Sequence, residues 1–245
     1  MFTLEFTDTH EMIRQTAHDF ARDEVAPTAV ERDKLGEFPH EIVKKLGDLG
    51  FLGMMVSPEW GGAGLDALSY VLAMEEISAV DASVGVILSV NNSLICWGLE
   101  TYGSDEQKER WLRPLATGQV HGAFCLSEPE AGSDATQQHT IAERGDGGWI
   151  LNGTKNWITN GTTAGTYLVM AQTNRELRHR GITCFIIAAG TPGFEPGLKE
   201  DKLGIRSSDT CSIGLTNVFV PDDQILGEVG QGFKIAMESL NGGRI

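Results

Sequence analysis

Paired cysteines are missing from this sequence. Cys96, Cys125, Cys184 and Cys211 lie far apart and none forms a C-x-x-C pair, and His10, His18, His40, His121, His139 and His179 are equally scattered. His121 and Cys125 stand four apart, but no second pair follows at zinc-site spacing, so no metal site is expected. Free cysteines fit a reducing compartment. Positive charge is scarce as well. The chain has 19 Lys and Arg against 34 Asp and Glu, a formal charge of −15 over 245 residues. That balance excludes nucleic-acid binding by phosphate neutralisation and attraction to an anionic membrane surface. An anionic ligand would have to be held by local N–H groups and a few placed cations. No run of eighteen apolar residues occurs, and Met1 to Glu5 has neither a basic n-region nor an apolar h-region, so neither membrane insertion nor a signal peptide is expected.

Three motifs are also absent. No G-x-G-x-x-G follows a strand, and neither G-x-x-x-x-G-K-[ST] nor G-x-S-x-G occurs, which removes dinucleotide-fold, P-loop and hydrolase-elbow readings. No pair of carboxylates can be singled out among so many acids, so a glycosidase assignment would be arbitrary.

What is present is an ordinary globular composition, 41% hydrophobic and 22% charged. Its length suits one large domain or two small ones without a disulfide or metal staple. The first half reads as helical. Ile13, Ala17, Phe20, Ala21 and Val25 recur at helical spacing, and Pro27 is expected to end that run. Pro39 opens a second helix with Ile42, Val43, Leu46 and Leu49 on one face. A glycine-rich stretch, Pro58 to Gly64, precedes helices at about 65–79 and 84–102. Ser104 with Gln107 forms a capping box ahead of Trp111, Leu112 and Leu115. After Gly118 short β-rich runs appear at 123–127, 149–151, 167–171, 182–188 and 218–220. Asn152-Gly153 predicts a two-residue hairpin between 149–151 and 156–158. Helical texture returns at 233–240. The expected organisation is α+β: an all-α domain over 1–118, a β domain over 119–228, and the start of a further helical domain over 229–245.

Three segments carry candidate chemistry. Phe124-Cys125-Leu126-Ser127-Glu128-Pro129-Glu130-Ala131-Gly132-Ser133-Asp134 leaves a strand, since Pro129 cannot continue a central one. The loop is small and polar and suits a phosphate or an electron-rich ligand edge, although an ordinary strand exit has the same composition. In Lys155-Asn156-Trp157-Ile158-Thr159-Asn160-Gly161, strand alternation places Lys155, Trp157 and Thr159 on one face. An aromatic plane with a hydroxyl two residues on could hold a flat heterocycle, and a half-buried strand with a core Trp is the plainer reading. Gly242 and Gly243 within Asn241-Gly242-Gly243-Arg244 are costly in a helix, about 1 kcal/mol each, so either something approaches the backbone closely or the helix end frays.

Together, in this order, these segments resemble the two signature stretches of the acyl-CoA dehydrogenases. The likeness runs from Phe6 to the last residue and takes in Pro58 to Gly64, Gly204-Ile205-Arg206-Ser207-Ser208-Asp209-Thr210 and Gly232 to Met237. It implies an N-terminal α domain, a middle β-barrel and a C-terminal helical domain of which only the opening is expected here. It implies FAD as cofactor. Phe124, Cys125, Leu126 and Ser127 would lie along the flavin pyrimidine edge, with Leu126 and Ser127 as donors. Ser133 would lie near the pyrophosphate and the CoA part of the substrate. Trp157, Ile158 and Thr159 would line the isoalloxazine, with Thr159 bonded to N5. Asn241, Gly242, Gly243 and Arg244 would contact substrate.

The implied reaction is α,β-desaturation of an acyl-CoA to the 2-enoyl-CoA, with electrons passed to an electron-transferring flavoprotein. The family's Glu base is expected beyond Ile245, so no catalytic residue is assigned in this chain and the chain alone is expected to be inactive. A homotetramer is implied for the full-length protein. So is a cytoplasmic location in a bacterium, or the mitochondrial matrix for a eukaryotic mature chain. Glu130 stands where the family motif usually has Gly, adding a charge beside the flavin loop. For chain length, Ser89 to Leu94 resembles butyryl-type members and Asn241 to Ile245 the isobutyryl type, while Gly85 makes a dicarboxylic substrate less fitting. A non-catalytic acyl-CoA or partner-binding module, or an acyl-CoA oxidase of the same fold, are the competing readings.

Overall fold

A computed structural model describes residues 5–243. Helix α1 (Asp8–Phe20) opens on a reciprocal capping box between Thr7 and His10. It does not stop before Pro27. The chain passes through one wide turn, Ala21–Val25, into α2 (Ala26–Leu35), with Pro27 in the first turn of α2. A helix that restarts there needs no N–H from its first residues, so proline is tolerated where an unbroken helix would exclude it. Gly36, at φ 69°, ends α2 in the left-handed conformation.

Helix α3 (His40–Asp48) follows Pro39, and α4 (Ala67–Val80) is capped by Asp66, whose carboxylate accepts from Ser69 N–H at 2.8 Å. Asp81 caps α5 (Ala82–Ser89) and also receives buried Arg32 at 2.8 Å. A second wide turn, Val90–Cys96, carries this helix into α6 (Trp97–Tyr102). The resulting rod, Ala82–Tyr102, is long and apolar enough to cross a membrane by length and composition, yet 67% of its most apolar stretch is buried inside the fold. The wide turn presents Asn91 and Asn92 inward. Asn92 Nδ2 donates to Phe51 O at 2.8 Å and its Oδ1 accepts from Met54 N–H at 2.9 Å, while Asn91 Oδ1 accepts from Gly122 N–H at 2.9 Å. α7 (Asp105–Gln107) begins at the Ser104 and Gln107 capping box, and α8 (Arg113–Ala116) closes the helical part.

Among the described residues eight strands follow: β1 (Gly122–Cys125), β2 (Ile141–Gly145), β3 (Gly148–Thr159), β4 (Thr166–Gln172), β5 (Ile182–Ala188), β6 (Phe194–Lys199), β7 (Thr210–Pro221) and β8 (Ile225–Leu226). They form one sheet in the order β6-β7-β3-β2-β4-β5-β8, with β1 on β4. The expected barrel is thus a curled sheet whose hydrogen-bonded path has two ends, β6 and β8. Its inner face encloses Tyr167, Val169, Phe185, Ile187 and Ile213. Its outer face puts Leu168, Met170, Cys184 and Ile186 against Ile95, Leu99, Leu112 and Leu115 of the helices. Because β4 and β5 are buried on both faces, they read as continuous apolar runs. Helix α9 (Gly232–Gly242) returns onto the outer face through Ile235 and Ala236.

The hairpin expected at Asn152-Gly153 does not form. Both residues lie inside β3, which pairs along its length with β7. Gly153 sits at φ 153°, and a Cβ there would meet Thr140 Oγ1 at 2.5 Å, so its glycine serves close approach and not a turn. The turn is Asp146-Gly147, between the paired Gly145 and Gly148, with Gly147 at φ 70°.

Candidate functional site

Strands β1 and β2 lie end to end along one edge of β4. Cys125 pairs with Val169, and Ile141 pairs with Gln172. Between them the chain leaves the sheet as the loop Leu126 to Thr140. Glu128 and Ala131 exchange backbone hydrogen bonds at 3.1 and 3.2 Å, which folds the loop back on itself. Asp134 then accepts from Thr136 N–H at 3.1 Å and from Gln137 Nε2 at 3.2 Å. Glu130 does not disturb this turn. Its backbone is not left-handed, so no glycine is required, and its exposed carboxylate stands 3.5 Å from His139 Nε2.

Strand β3 supplies the second wall. Lys155 pairs with Ile213 and Ile158 with Cys211, so three steps on β3 match two on β7. That is a bulge, and Trp157 occupies it at φ 60°. The extra residue breaks the alternation. Lys155 is 0% exposed and Trp157 is 65% exposed, so the expectation that Lys155 shares a face with Trp157 and Thr159 is wrong. Trp157 and Thr159 do share one, with Ile158 turned into the core between them. Asn156 N–H donates to Ser127 O at 2.8 Å, which brings the loop within one residue of the indole.

The segment is held from below. Asn160, at φ 63°, donates through Nδ2 to Gly122 O at 3.0 Å, and its N–H donates to Asp209 O at 3.1 Å. Tyr167 Oη donates to Gly161 O at 2.9 Å. A Cβ on Gly161 would lie 2.5 Å from Cys211 Sγ, so this glycine is a packing requirement. Thr162 N–H and Oγ1 both donate to the Asp209 carboxylate.

The structure therefore separates the proposed cofactor residues by what they can offer. Ser127 and Thr159 are half-buried, and their hydroxyls have no hydrogen-bond partner among the described residues. Trp157 offers an exposed aromatic plane, and Ser133 is exposed on the loop. Cys125 and Ile158 turn their side chains into the sheet core, and Phe124 and Leu126 pack on the helix side. Cys125, Leu126 and Ile158 can meet a ligand only through backbone groups, while Phe124 is half-buried. Burial pushes the Cys125 thiol well above the ordinary cysteine range, so it is a packing group and not a nucleophile. His121 is pushed down to about 4 by burial and is neutral at physiological pH. Its partner is Thr163 Oγ1 at 3.0 Å, and no group of three metal ligands occurs among the described residues.

At the other end of the site, α9 brings Gly243 against the wide turn of the long helix. A Cβ on Gly243 would sit 3.1 Å from both Leu94 Cδ2 and Ser93 Oγ. Gly242 has open space around it, so only the second of the two glycines is explained by close approach. Asn241 is exposed, and Arg244 lies outside the described residues. The two stretches read for chain length, Ser89 to Leu94 and Asn241 onward, thus meet in space, although Asn91 and Asn92 are committed to the interior.

Sequence reasoning did not single out Glu128, Gln138 and Thr140. Lys155 Nζ forms an ion pair with Glu128 Oε1 at 2.7 Å under the loop, and Gln138 and the Thr140 N–H join it. The available signal was Lys155, the one base of the second motif stretch, with three acids, Glu128, Glu130 and Asp134, in the first, and nothing in the sequence told Glu128 from the other two.

This geometry agrees with three comparisons. Residues 7–119 match the model of the acyl-CoA dehydrogenase N-terminal domain, and residues 123–218 that of its middle domain. The human mitochondrial short-chain specific acyl-CoA dehydrogenase is 50% identical over 99% of this chain and 59% of its own length. Butyryl-CoA dehydrogenase from Megasphaera elsdenii superposes with a TM-score of 0.97 at 44% identity, covering 99% of this chain and 64% of that one. A chain from the structure described as the electron transferring flavoprotein of Acidaminococcus fermentans gives the same score, identity and coverage. The chain spans about three-fifths of the length of the relatives it matches. With both family models matched in order and that identity along nearly all its residues, the chain belongs to the acyl-CoA dehydrogenase family.

Proposed function

We propose that this chain carries the flavin-contacting part, and part of the thioester-contacting part, of an FAD-dependent dehydrogenase that converts a short-chain acyl-CoA to its 2-enoyl-CoA. The observation that carries the reading is the exposed Trp157 indole beside two half-buried, unpartnered hydroxyls, Ser127 and Thr159. A flat heterocycle with polar edges fits such a surface: the indole covers a face, and the hydroxyls and loop N–H groups meet ring heteroatoms. The short-chain names of the human and Megasphaera relatives support the substrate class.

Bound FAD would supply the hydride acceptor for the β-hydrogen. The protein's own residues do the rest. Thr159 Oγ1 donates a hydrogen bond toward N5, and Trp157 excludes water from the ring face. Ser127 and Leu126 hold the pyrimidine edge. Ser133 is placed to meet the polar tail of the ligands, and Gly243 with Ser93 and Leu94 to bound the acyl end. No carboxylate of residues 1–245 is assigned as the base. Glu128, the buried one in the loop, is tied to Lys155 and to backbone N–H groups, which leaves it no free direction from which to take a proton. An electron-transferring flavoprotein as acceptor and a homotetrameric full-length enzyme complete the reading.

The test is FAD titration of the chain, then anaerobic stopped-flow reduction with butyryl-CoA and isobutyryl-CoA in the full-length enzyme. Thr159→Val should slow flavin reduction more than it weakens FAD binding, because a hydrogen bond worth about 0.5–1.5 kcal/mol strengthens as charge reaches N5. Equal reduction rates would make Thr159 structural. A chain that takes up no FAD would sink the reading.

A further inference from the structure

Beneath the loop that carries Leu126 and Ser127 lies an ion pair sealed from solvent. Lys155 is 0% and Glu128 4% exposed. Burial pulls Lys155 below the ordinary lysine range. Burial would raise Glu128, but the ammonium and the N–H groups around it outweigh that and hold it below the usual carboxylate range. A buried pair of this kind is often no more stable than two apolar residues of the same shape. Its partners must therefore be judged by what else they bind.

Lys155 Nζ donates to the Leu126 carbonyl at 3.3 Å, and Gln138 Nε2 donates to that same oxygen at 3.3 Å. Glu128 accepts from His139 N–H at 2.5 Å and from Thr140 N–H at 3.1 Å. Both stems of the 126–140 excursion are thus gathered on one charge pair. Peptide geometry turns that anchor into a direction. No peptide among the described residues is cis, and across a trans peptide the carbonyl and the next N–H point opposite ways. Drawing the Leu126 carbonyl inward aims the Ser127 N–H outward.

We propose that Lys155, with Glu128 and Gln138, is a positioning residue that fixes the Leu126–Ser127 peptide so that the Ser127 N–H addresses the edge of the bound flavin. The proposal rests on the flavin reading above. Donors held in place before the ligand arrives do more than donors that must reorganise, which gives a buried pair at this spot its use. The bulge in β3 belongs to the same arrangement, because it allows Lys155 to reach inward while Trp157, two residues on, stands outside.

The test uses two variants of the whole chain. Lys155→Met with Glu128→Gln removes both charges, keeping side-chain length at 128 and shortening it by one atom at 155. Gln138→Met removes the second donor to Leu126 O together with one acceptor of Lys155 Nζ but keeps the ion pair, so it remains informative where the double variant fails to fold. Amide exchange at Asn156, which donates to Ser127 O, reports the seating of the loop without any flavin. In the double variant that exchange should rise about tenfold, the equivalent of one lost hydrogen bond, while β4 and β5 stay protected. FAD affinity should fall about tenfold on the same argument, and the visible band of the bound flavin should shift. Gln138→Met should move all three readouts the same way by less.

Loosened exchange with an unmoved flavin band would make the pair a structural staple and overturn the proposal. So would a folded double variant, or a Gln138→Met variant, with Asn156 exchange unchanged. Failure of the unaltered chain to bind FAD would overturn the functional reading instead, and the exchange experiment would still decide the anchoring.

Discussion

The two edges of β4 are built differently. Along one edge β5 pairs with it without a break, from Thr166 with Ala188 to Gln172 with Ile182. Along the other, β1 takes four pairs and β2 one, and fifteen residues, 126–140, leave the sheet between them. The continuous edge is apolar on both faces and carries no candidate ligand group. The interrupted edge carries the loop of polar groups. The difference shows where a sheet can build a site: not by modifying its ladder but by stopping it, with the unbroken edge holding the frame.

The sharpest way to break this comparison is on the continuous edge. Phe185 is fully buried between β4 and the inner core. Phe185→Ala should cost about 3–5 kcal/mol, read as a lower urea midpoint. A loss near zero would mean that this edge is not the frame. Next is Gly161→Ala, where the new Cβ meets Cys211 Sγ and, at 2.9 Å, Ile158 O. A cost of about 1–3 kcal/mol in thermal or urea unfolding is expected from such overpacking.

Acid should separate the two edges in order. The folded pKa of Glu128 is depressed, so its contribution is complete above the ordinary carboxylate value and lost as pH falls through the lower folded value. Amide exchange followed from pH 5 downward should show Thr140 losing protection before Val169. Simultaneous loss would tie the loop to global unfolding. The smallest effect on stability belongs to Trp157→Ala. With its side chain mostly in solvent, that change should stay within about 0.5 kcal/mol, yet it should weaken FAD binding measurably in a fluorescence titration.

The same contrast explains how far the sequence could be read. Strands β4 and β5 are evident as apolar runs because both faces are buried. β2 and β6 are not, since Ile-Ala-Glu-Arg-Gly and Phe-Glu-Pro-Gly-Leu-Lys bury little and carry charge, glycine and, in β6 at the end of the sheet, proline. Asn152-Gly153 has hairpin chemistry, but its glycine answers to Thr140, a neighbour that no local reading reveals. Pro27 looks like a helix stop because a widened turn leaves no pattern in the residue types. At the site, the motif stretches and the shared face of Trp157 and Thr159 were legible. The pairing of Lys155 with Glu128 was not, because it depends on a bulge, and nothing in the residues of β3 announces one.

That bulge makes residue count as consequential as residue identity. With Asn156 and Trp157 in a regular alternation, Lys155, Trp157 and Thr159 would all face one way and Ile158 the other. Either the cation would stand in solvent with the indole, or the indole and the hydroxyl would be swallowed by the core. The extra residue acts as a change of parity: before it, inward positions fall on one set of numbers, and after it on the other. A single insertion or deletion between Lys155 and Ile158 would therefore do what no substitution there can, exchanging inside and outside for every side chain on one flank of the event at once.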